Sequence, residues 1–152
     1  TLPRRSRARA PSSEFEMVLL DTCGVIWLVQ GEPMAEVALS AIRDAADVGS
    51  LLVSPISAWE VGLLATRRRQ PLTFRPTPAM WIERLLTRPG IRPVPLSHRA
   101  AVGAASLPGD LHEDPADRLL IATARELKVP LVTRDRRILD YAAQGHVDAI
   151  AC

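Results

Sequence analysis

A chain of 152 residues has room for one domain, and a domain of that size buries about 70% of its unfolded surface. Apolar residues at 47% and charged residues at 24% exclude disorder, collagen and coiled coil for the chain as a whole, and aromatic residues at 4% argue against a nucleic-acid surface of stacked rings. The net charge of +2 belongs to residues 1–16, where Arg4, Arg5, Arg7 and Arg9 outweigh Glu14 and Glu16; the remainder sums to zero.

Residues 1–16 are rich in Arg, Ser and Pro and lack apolar periodicity, which predicts a disordered basic segment. A leader or expression remnant, with the folded domain spanning 17–152 from Met17, is the preferred reading. A basic RNA-binding arm is the alternative. A signal peptide does not fit, because Pro-Ser-Ser-Glu-Phe-Glu follows the arginines and Asp21 breaks the next apolar run. No run reaches the ~18–20 apolar residues that span a membrane. Cys23 and Cys152 stand near opposite ends, without zinc or disulfide spacing, and read as free thiols of a reducing, cytoplasmic compartment.

In chain order, Val18-Leu19-Leu20 predicts a short strand ending at Asp21, and residues 22–29 a helix. Apolar positions 34, 37, 38, 41, 42, 45 and 48 follow a helical period, which Gly49-Ser50 ends. Leu51-Leu52-Val53 predicts a second strand. Ser54-Pro55 opens a helix to about Thr66, with proline in its first turn. A proline-rich loop over 71–78 precedes a helix at about 78–87. The run Ile91–Leu96 carries Pro93 and Pro95 and suits an edge or irregular strand. A helix over 97–106, a long helix over 115–127, a strand over 130–133, a helix over 135–143 and a strand over 147–151 complete the series. Strands alternating with helices predict an α/β fold: a three-layer α/β/α sandwich on a mostly parallel sheet of four or five strands.

Four acids stand at comparable places. Asp21 and Asp135 follow strands, Glu60 lies in the helix after the second strand, and Asp117 lies in the first turn of the long helix. In an open α/β sheet those places border the ligand crevice. Each acid also has a purely local reading. Asp21 and Asp135 suit helix caps, Ser57-Ala-Trp-Glu60 matches a capping box, and Asp114-Pro115-Ala116-Asp117 reads as cap, first-turn proline and dipole-friendly acid. Their joint arrangement at strand exits favours a pocket. Converging carboxylates resist joint ionisation unless a cation neutralises them, and hard oxygen donors suit Mg²⁺ or Mn²⁺. Such a pocket points to metal-assisted phosphoryl chemistry.

Leu19-Leu20-Asp21-Thr22, Ser57-Ala-Trp-Glu60-Val61, the segment His112–Ala124 and Leu131-Val-Thr133-Arg-Asp135 follow one another in an order that resembles PIN-domain proteins, in particular the VapC-type toxins of type II toxin–antitoxin systems. The resemblance runs from Met17 to the C-terminus, and 112–124 is its most specific part. It implies a PIN fold, Mg²⁺- or Mn²⁺-dependent endoribonuclease activity on RNA, a cognate antitoxin and a homodimer. It assigns Asp21 and Asp117 as metal ligands, with Glu60 and Asp135 completing the acidic pocket directly or through water. Thr22 and Thr133 become hydrogen-bonding supports, and Asp114 a helix cap in preference to an outer acid. Cys23-Gly24 stands where many relatives have a polar and an aliphatic residue, and Leu63-Leu64 where a lysine is frequent. Neither departure touches an acid.

Other residues carry lesser expectations. His112 reads as a hydrogen-bonding or exposed residue in preference to a base or ligand. Cys23 reads as a small buried thiol under the sheet. Arg67-Arg68-Arg69 with Arg75 suits either an RNA backbone or a solvated helix end, and Arg118, beside Asp117, is the favoured phosphate contact. Trp27, Trp59 and Trp81 suit core or dimer packing. Two rival functions remain. One is a catalytically silent RNA- or protein-binding module on the same fold. The other is a phosphatase or phosphotransfer domain, disfavoured because Cys23 stands where a second aspartate would be needed and the lone lysine, Lys128, ends no strand.

Overall fold

The computed structural model describes residues 16–152, so the leader expected over 1–16 lies, apart from Glu16, outside the described residues. Twelve elements follow in order: β1 (Val18–Leu20), α1 (Thr22–Gln30), α2 (Glu36–Asp47), β2 (Leu51–Val53), α3 (Pro55–Thr66), α4 (Pro78–Leu86), β3 (Ile91–Pro93), α5 (His98–Ala104), α6 (Pro115–Leu127), β4 (Leu131–Thr133), α7 (Arg136–Ala143) and β5 (Ala149–Ala151). The five strands form one wholly parallel sheet in the order β3-β2-β1-β4-β5.

Three-residue strands suffice because both faces of the sheet are covered. Leu19, Leu52 and Leu131 face one layer, packing with Leu120 and Ile121 of α6 and Ile138 and Tyr141 of α7. Their neighbours Val18, Leu20, Leu51, Val53 and Val132 face the other, against Val25 of α1 and Ala38, Ile42 and Ala45 of α2. The period-2 geometry of a strand therefore sends every residue into one core or the other, which is why β1, β2 and β4 are apolar almost throughout. The edge strands β3 and β5 are only partly buried. Pro93 and Pro95 remove backbone donors there, and the strand ends at Pro93, short of the run to Leu96 read from sequence. Gly90, at φ +86°, leads into β3 against α2; a Cβ there would meet the backbone of Ala46 at 2.4 Å.

Side-chain caps start most helices. Ser97 accepts from the N–H of Ala100, Thr77 from Met80, and Ser54 from Ile56. Ser54 is the cap of α3, at the helix start that Ser54-Pro55 predicts, and the capping box that Ser57-Ala-Trp-Glu60 matches does not form. Pro55 fills the first helical position, where a missing N–H costs nothing, so the cap must precede it. Ser57 and Glu60 are thereby left inside the helix and free for other contacts. Among the described residues no helix is long and apolar enough to cross a membrane.

Candidate active site

From β1 the chain steps to β2 and β3 on one side, while β4 and β5 lie on the other, so the strand order reverses between β1 and β4. The helices leaving these two strands pack on opposite faces, α1 on one and α7 on the other. A crevice opens between their N-termini, as it does at the switch point of any open α/β sheet.

Asp21 sits in that crevice, only 6% exposed. It caps α1: Oδ1 accepts from the N–H of Gly24 at 2.6 Å. Its other oxygen accepts from the Thr133 hydroxyl, at the end of β4, at 2.5 Å. Gly24 permits the close approach, since a Cβ there would stand 3.1 Å from Oδ1. Burial pushes the Asp21 carboxyl up to about 6, with the two hydrogen bonds opposing and the charges of Asp117 and Asp135 adding to the rise.

The other three acids converge on it from separate elements. Glu60, one turn into α3, accepts a short hydrogen bond from Thr22, the first residue of α1; Thr22 also lies 3.2 Å from the Ser57 hydroxyl. Burial raises the Glu60 carboxyl; the Thr22 bond opposes this, and Asp117, Asp114 and Asp21 add to it. Asp117 lies in the first turn of α6, where Asp114 caps the helix by accepting from the Asp117 N–H at 3.0 Å. Its Oδ2 is 2.6 Å from His112 Nε2 and 3.6 Å from Arg137 Nη2. Burial raises this carboxyl too, against the His112 bond and with Asp114 and Asp135 adding. Asp135 caps α7 and bonds the Arg137 side chain. There burial pushes upward, but the hydrogen bonds and charge of Arg137 outweigh it and hold the carboxyl below the usual range.

The acids named from sequence are therefore brought together, and the local reading holds at the same time for all but Glu60. Asp21, Asp114 and Asp135 are helix caps, and Asp21 and Asp135 are also members of the cluster. Thr22 donates to Glu60 and Thr133 to Asp21. Thr133 in addition accepts from the Asp135 N–H at 3.0 Å, linking two of the acids.

Two readings are corrected. Arg118 does not present itself to a phosphate. Its Nε donates to the carbonyl of Ala104, and Nη1 lies 3.3 Å from those of Leu111 and His112, so the guanidinium ties the 104–112 segment to α6. Cys23 is exposed and not tucked under the sheet, because as the second residue of α1 it points away from the core-facing Val25 and Ile26. Partial desolvation and the four surrounding acids push its thiol up to about 11, which rules out a thiolate nucleophile at neutral pH. Of the tryptophans, Trp59 is 50% exposed, which leaves dimer packing as its reading, whereas Trp81 meets Phe74 edge-on at 5.0 Å and Trp27 lies under the Arg134 guanidinium at 3.5 Å.

Sequence reasoning passed over Arg137 entirely. The available signal was its place two residues after a capping acid, with a cation in the first turn of a helix. His112 proves to be a hydrogen-bonding residue, with Nδ1 buried and unpartnered among the described residues.

Among the described residues no three carboxylate, imidazole or thiolate groups stand close enough together to encircle an ion by themselves. The donor set nevertheless suits a hard divalent cation that keeps much of its water. It is all oxygen, and burial raises three of its four carboxyls, with the neighbouring acids adding to the rise.

The family model described as PIN domain matches residues 18–144. Ribonuclease VapC22 of Mycobacterium tuberculosis is 35% identical over 125 residues, which cover 82% of this chain and 91% of that protein. VapBC2 from Rickettsia felis, solved bound to a DNA fragment from its promoter, superposes with a TM-score of 0.62 at 13% identity, covering 89% of this chain and 98% of that one. FitAcB from Neisseria gonorrhoeae gives 0.55 at 23% identity, covering 88% and 96%. At such identities the two solved structures speak for the fold.

Proposed function

The chain belongs to the PIN domain family, and from that premise we propose that it is a Mg²⁺- or Mn²⁺-dependent endoribonuclease, the toxin of a type II toxin–antitoxin pair. One observation carries the chemistry: Asp21, Glu60, Asp117 and Asp135 meet at the β1–β4 switch point, with three of the four carboxyls raised. The similarity to a protein named a ribonuclease supports the substrate class. The paired names VapBC and FitAB of the solved neighbours support an antitoxin partner, and the homodimer rests on the resemblance to VapC-type toxins.

In this reading Asp21 and Asp117 would hold the cation, with Glu60 and Asp135 completing the acidic pocket directly or through water. The bound ion supplies a water of lowered pKa and a counter-charge for the phosphodiester under in-line attack. The chain's own work is positioning. Thr133 and the Gly24 N–H fix both oxygens of Asp21, Thr22 fixes Glu60, and His112 fixes Asp117. These hydrogen bonds orient the acids, the role that outer-shell partners play at metal sites. Unpaired RNA is the favoured substrate, because a packed duplex offers less access.

The test is cleavage of a mixed RNA pool by the purified chain in Mg²⁺ or Mn²⁺ and in EDTA, with Asp21→Asn protein prepared in parallel. The expected result is metal-dependent cutting that falls in the variant by more than the ~100-fold that bounds the loss of an outer-shell partner. Equal cutting by the two proteins, or cutting that survives EDTA, overturns the site. RNA retained without cleavage, with or without metal, supports the silent binding module instead.

A further inference from the structure

Arg134, Arg136 and Arg137 flank Asp135 at the start of α7, and their guanidinium groups take three different directions. Arg134 donates to the carbonyls of Cys152 and Pro33, at 2.9 and 2.7 Å, and covers Trp27. Arg136 pairs with Asp140 one turn on, at 3.5 Å. Arg137 turns to the acids: Nη2 lies 3.1 Å from Asp135 Oδ2 and 3.6 Å from Asp117 Oδ2, while Nε lies 3.4 Å from Asp135 Oδ1. With Arg118 spent on carbonyls, Arg137 is the one arginine among the described residues that is ion-paired to the catalytic acids.

A structural role explains this placement poorly. A cation in the first turn opposes the helix dipole, which favours anions there. The Arg137 side chain is 59% exposed, and an ion pair whose cation stays in water contributes little to stability. The guanidinium keeps unused donors, since Nη1 makes no hydrogen bond among the described residues. A planar fork of N–H groups held at the rim of a pocket suits a phosphate oxygen pair.

We propose that Arg137 is the residue of this chain that takes hold of an RNA phosphate at the acidic pocket, with Asp135 and Asp117 holding its guanidinium in place until RNA arrives. The proposal rests on the nuclease reading and adds to it the residue that recognises the backbone. It carries a second consequence. A divalent cation at Asp117 competes with the guanidinium for the same carboxylate, so removing Arg137 strengthens metal binding while it weakens RNA binding.

The experiment compares Arg137→Gln, Arg137→Lys and Arg136→Gln, the last being the same charge change one residue away. Cleavage is followed in Mg²⁺. In parallel, binding of a fluorescent single-stranded RNA oligomer is measured in an Asp21→Asn background across a salt series, and Mn²⁺ affinity by titration without RNA. Arg137→Gln is expected to lower kcat/KM and weaken RNA binding about tenfold or more, as loss of a charged hydrogen bond does. It should also reduce the log–log salt slope by about 0.7 and tighten Mn²⁺ binding. Arg137→Lys should recover part of the RNA affinity, and Arg136→Gln should stay within about twofold throughout. Unchanged RNA affinity and salt slope in Arg137→Gln, or an equal loss in Arg136→Gln, overturns the proposal. Absence of metal-dependent cleavage by the wild-type chain is a separate outcome. It sinks the nuclease reading, while the RNA-binding arm still decides whether Arg137 contacts phosphate.

Discussion

The carboxyl-terminal edge of the sheet has two halves built by the same local device and left with opposite chemistry. At the β2–β3 half, Ser54 follows its strand and caps α3; beside it Val53, Ala58, Ile82, Leu86 and Val94 line an apolar groove of about 410 Å³. At the β1–β4 half, Asp21 and Asp135 follow their strands and cap α1 and α7, yet they also carry charge into a crevice shared with Glu60 and Asp117. A cap needs only an oxygen acceptor, which serine supplies without a charge to bury. Carboxylates at the second half do more than capping requires, and the cost of burying them is visible in the raised pKa values of Asp21, Glu60 and Asp117. The topology separates the halves: β2 and β3 are successive steps in one direction, whereas the sheet reverses between β1 and β4.

The sharpest way to break this comparison is to remove the charge and keep the cap. In metal-free protein the raised Asp21 carboxyl means that the fold favours the protonated form. Its contribution is fully present below pH 4, the unfolded range, and is lost as pH rises through about 6. The loss amounts to about 3 kcal/mol by pH 7 to 8. Asp21→Asn, without that titration, is expected to melt above metal-free wild type at pH 8, the gap closing as pH falls to 4. Thermal denaturation across that range decides the matter. A variant less stable than wild type at pH 8 would show that Asp21 is a structural cap first.

Thr133→Val should have the next largest effect. It removes a buried hydroxyl that donates to Asp21 and accepts from the Asp135 N–H. The expected loss is about 10- to 100-fold in cleavage or metal affinity, with about 1–3 kcal/mol of stability. Cleavage within twofold of wild type would mean that Asp21 needs no support from β4. The smallest effect belongs to the other half of the edge. Ser54→Ala should cost about 1 kcal/mol in denaturant titration and leave cleavage per folded molecule unchanged. A loss of activity there would join the two halves that the structure separates.

Much of this was legible in the chain. Asp114-Pro115 marked the start of α6, and the apolar spacing carried it to Leu127, the observed end. Val18–Leu20 and Leu51–Val53 were readable as strands because short apolar runs between turn signals leave few alternatives. The four acids were readable because strand exits recur at a regular place in an alternating α/β sequence. At the start of α3 two capping patterns overlap, and Pro55 decides for Ser54, the start read from sequence.

Directions of long side chains were not legible. Arg118 adjoins Asp117 in sequence, yet it is drawn to the carbonyls of Ala104, Leu111 and His112, which only the packed 104–112 segment brings within reach. Arg137 stands twenty residues from Asp117 and reaches it because α6 and α7 both begin at the crevice. The sequence by itself determined the alternation of strands and helices, the caps and the inventory of acids, since these depend on neighbours a few residues away. Tertiary structure alone decided which cation faces those acids, that Cys23 lies exposed among them, and that the pocket forms where the sheet reverses. Those outcomes depend on strand order and on the faces the helices cover, and neither is set by any local stretch of chain.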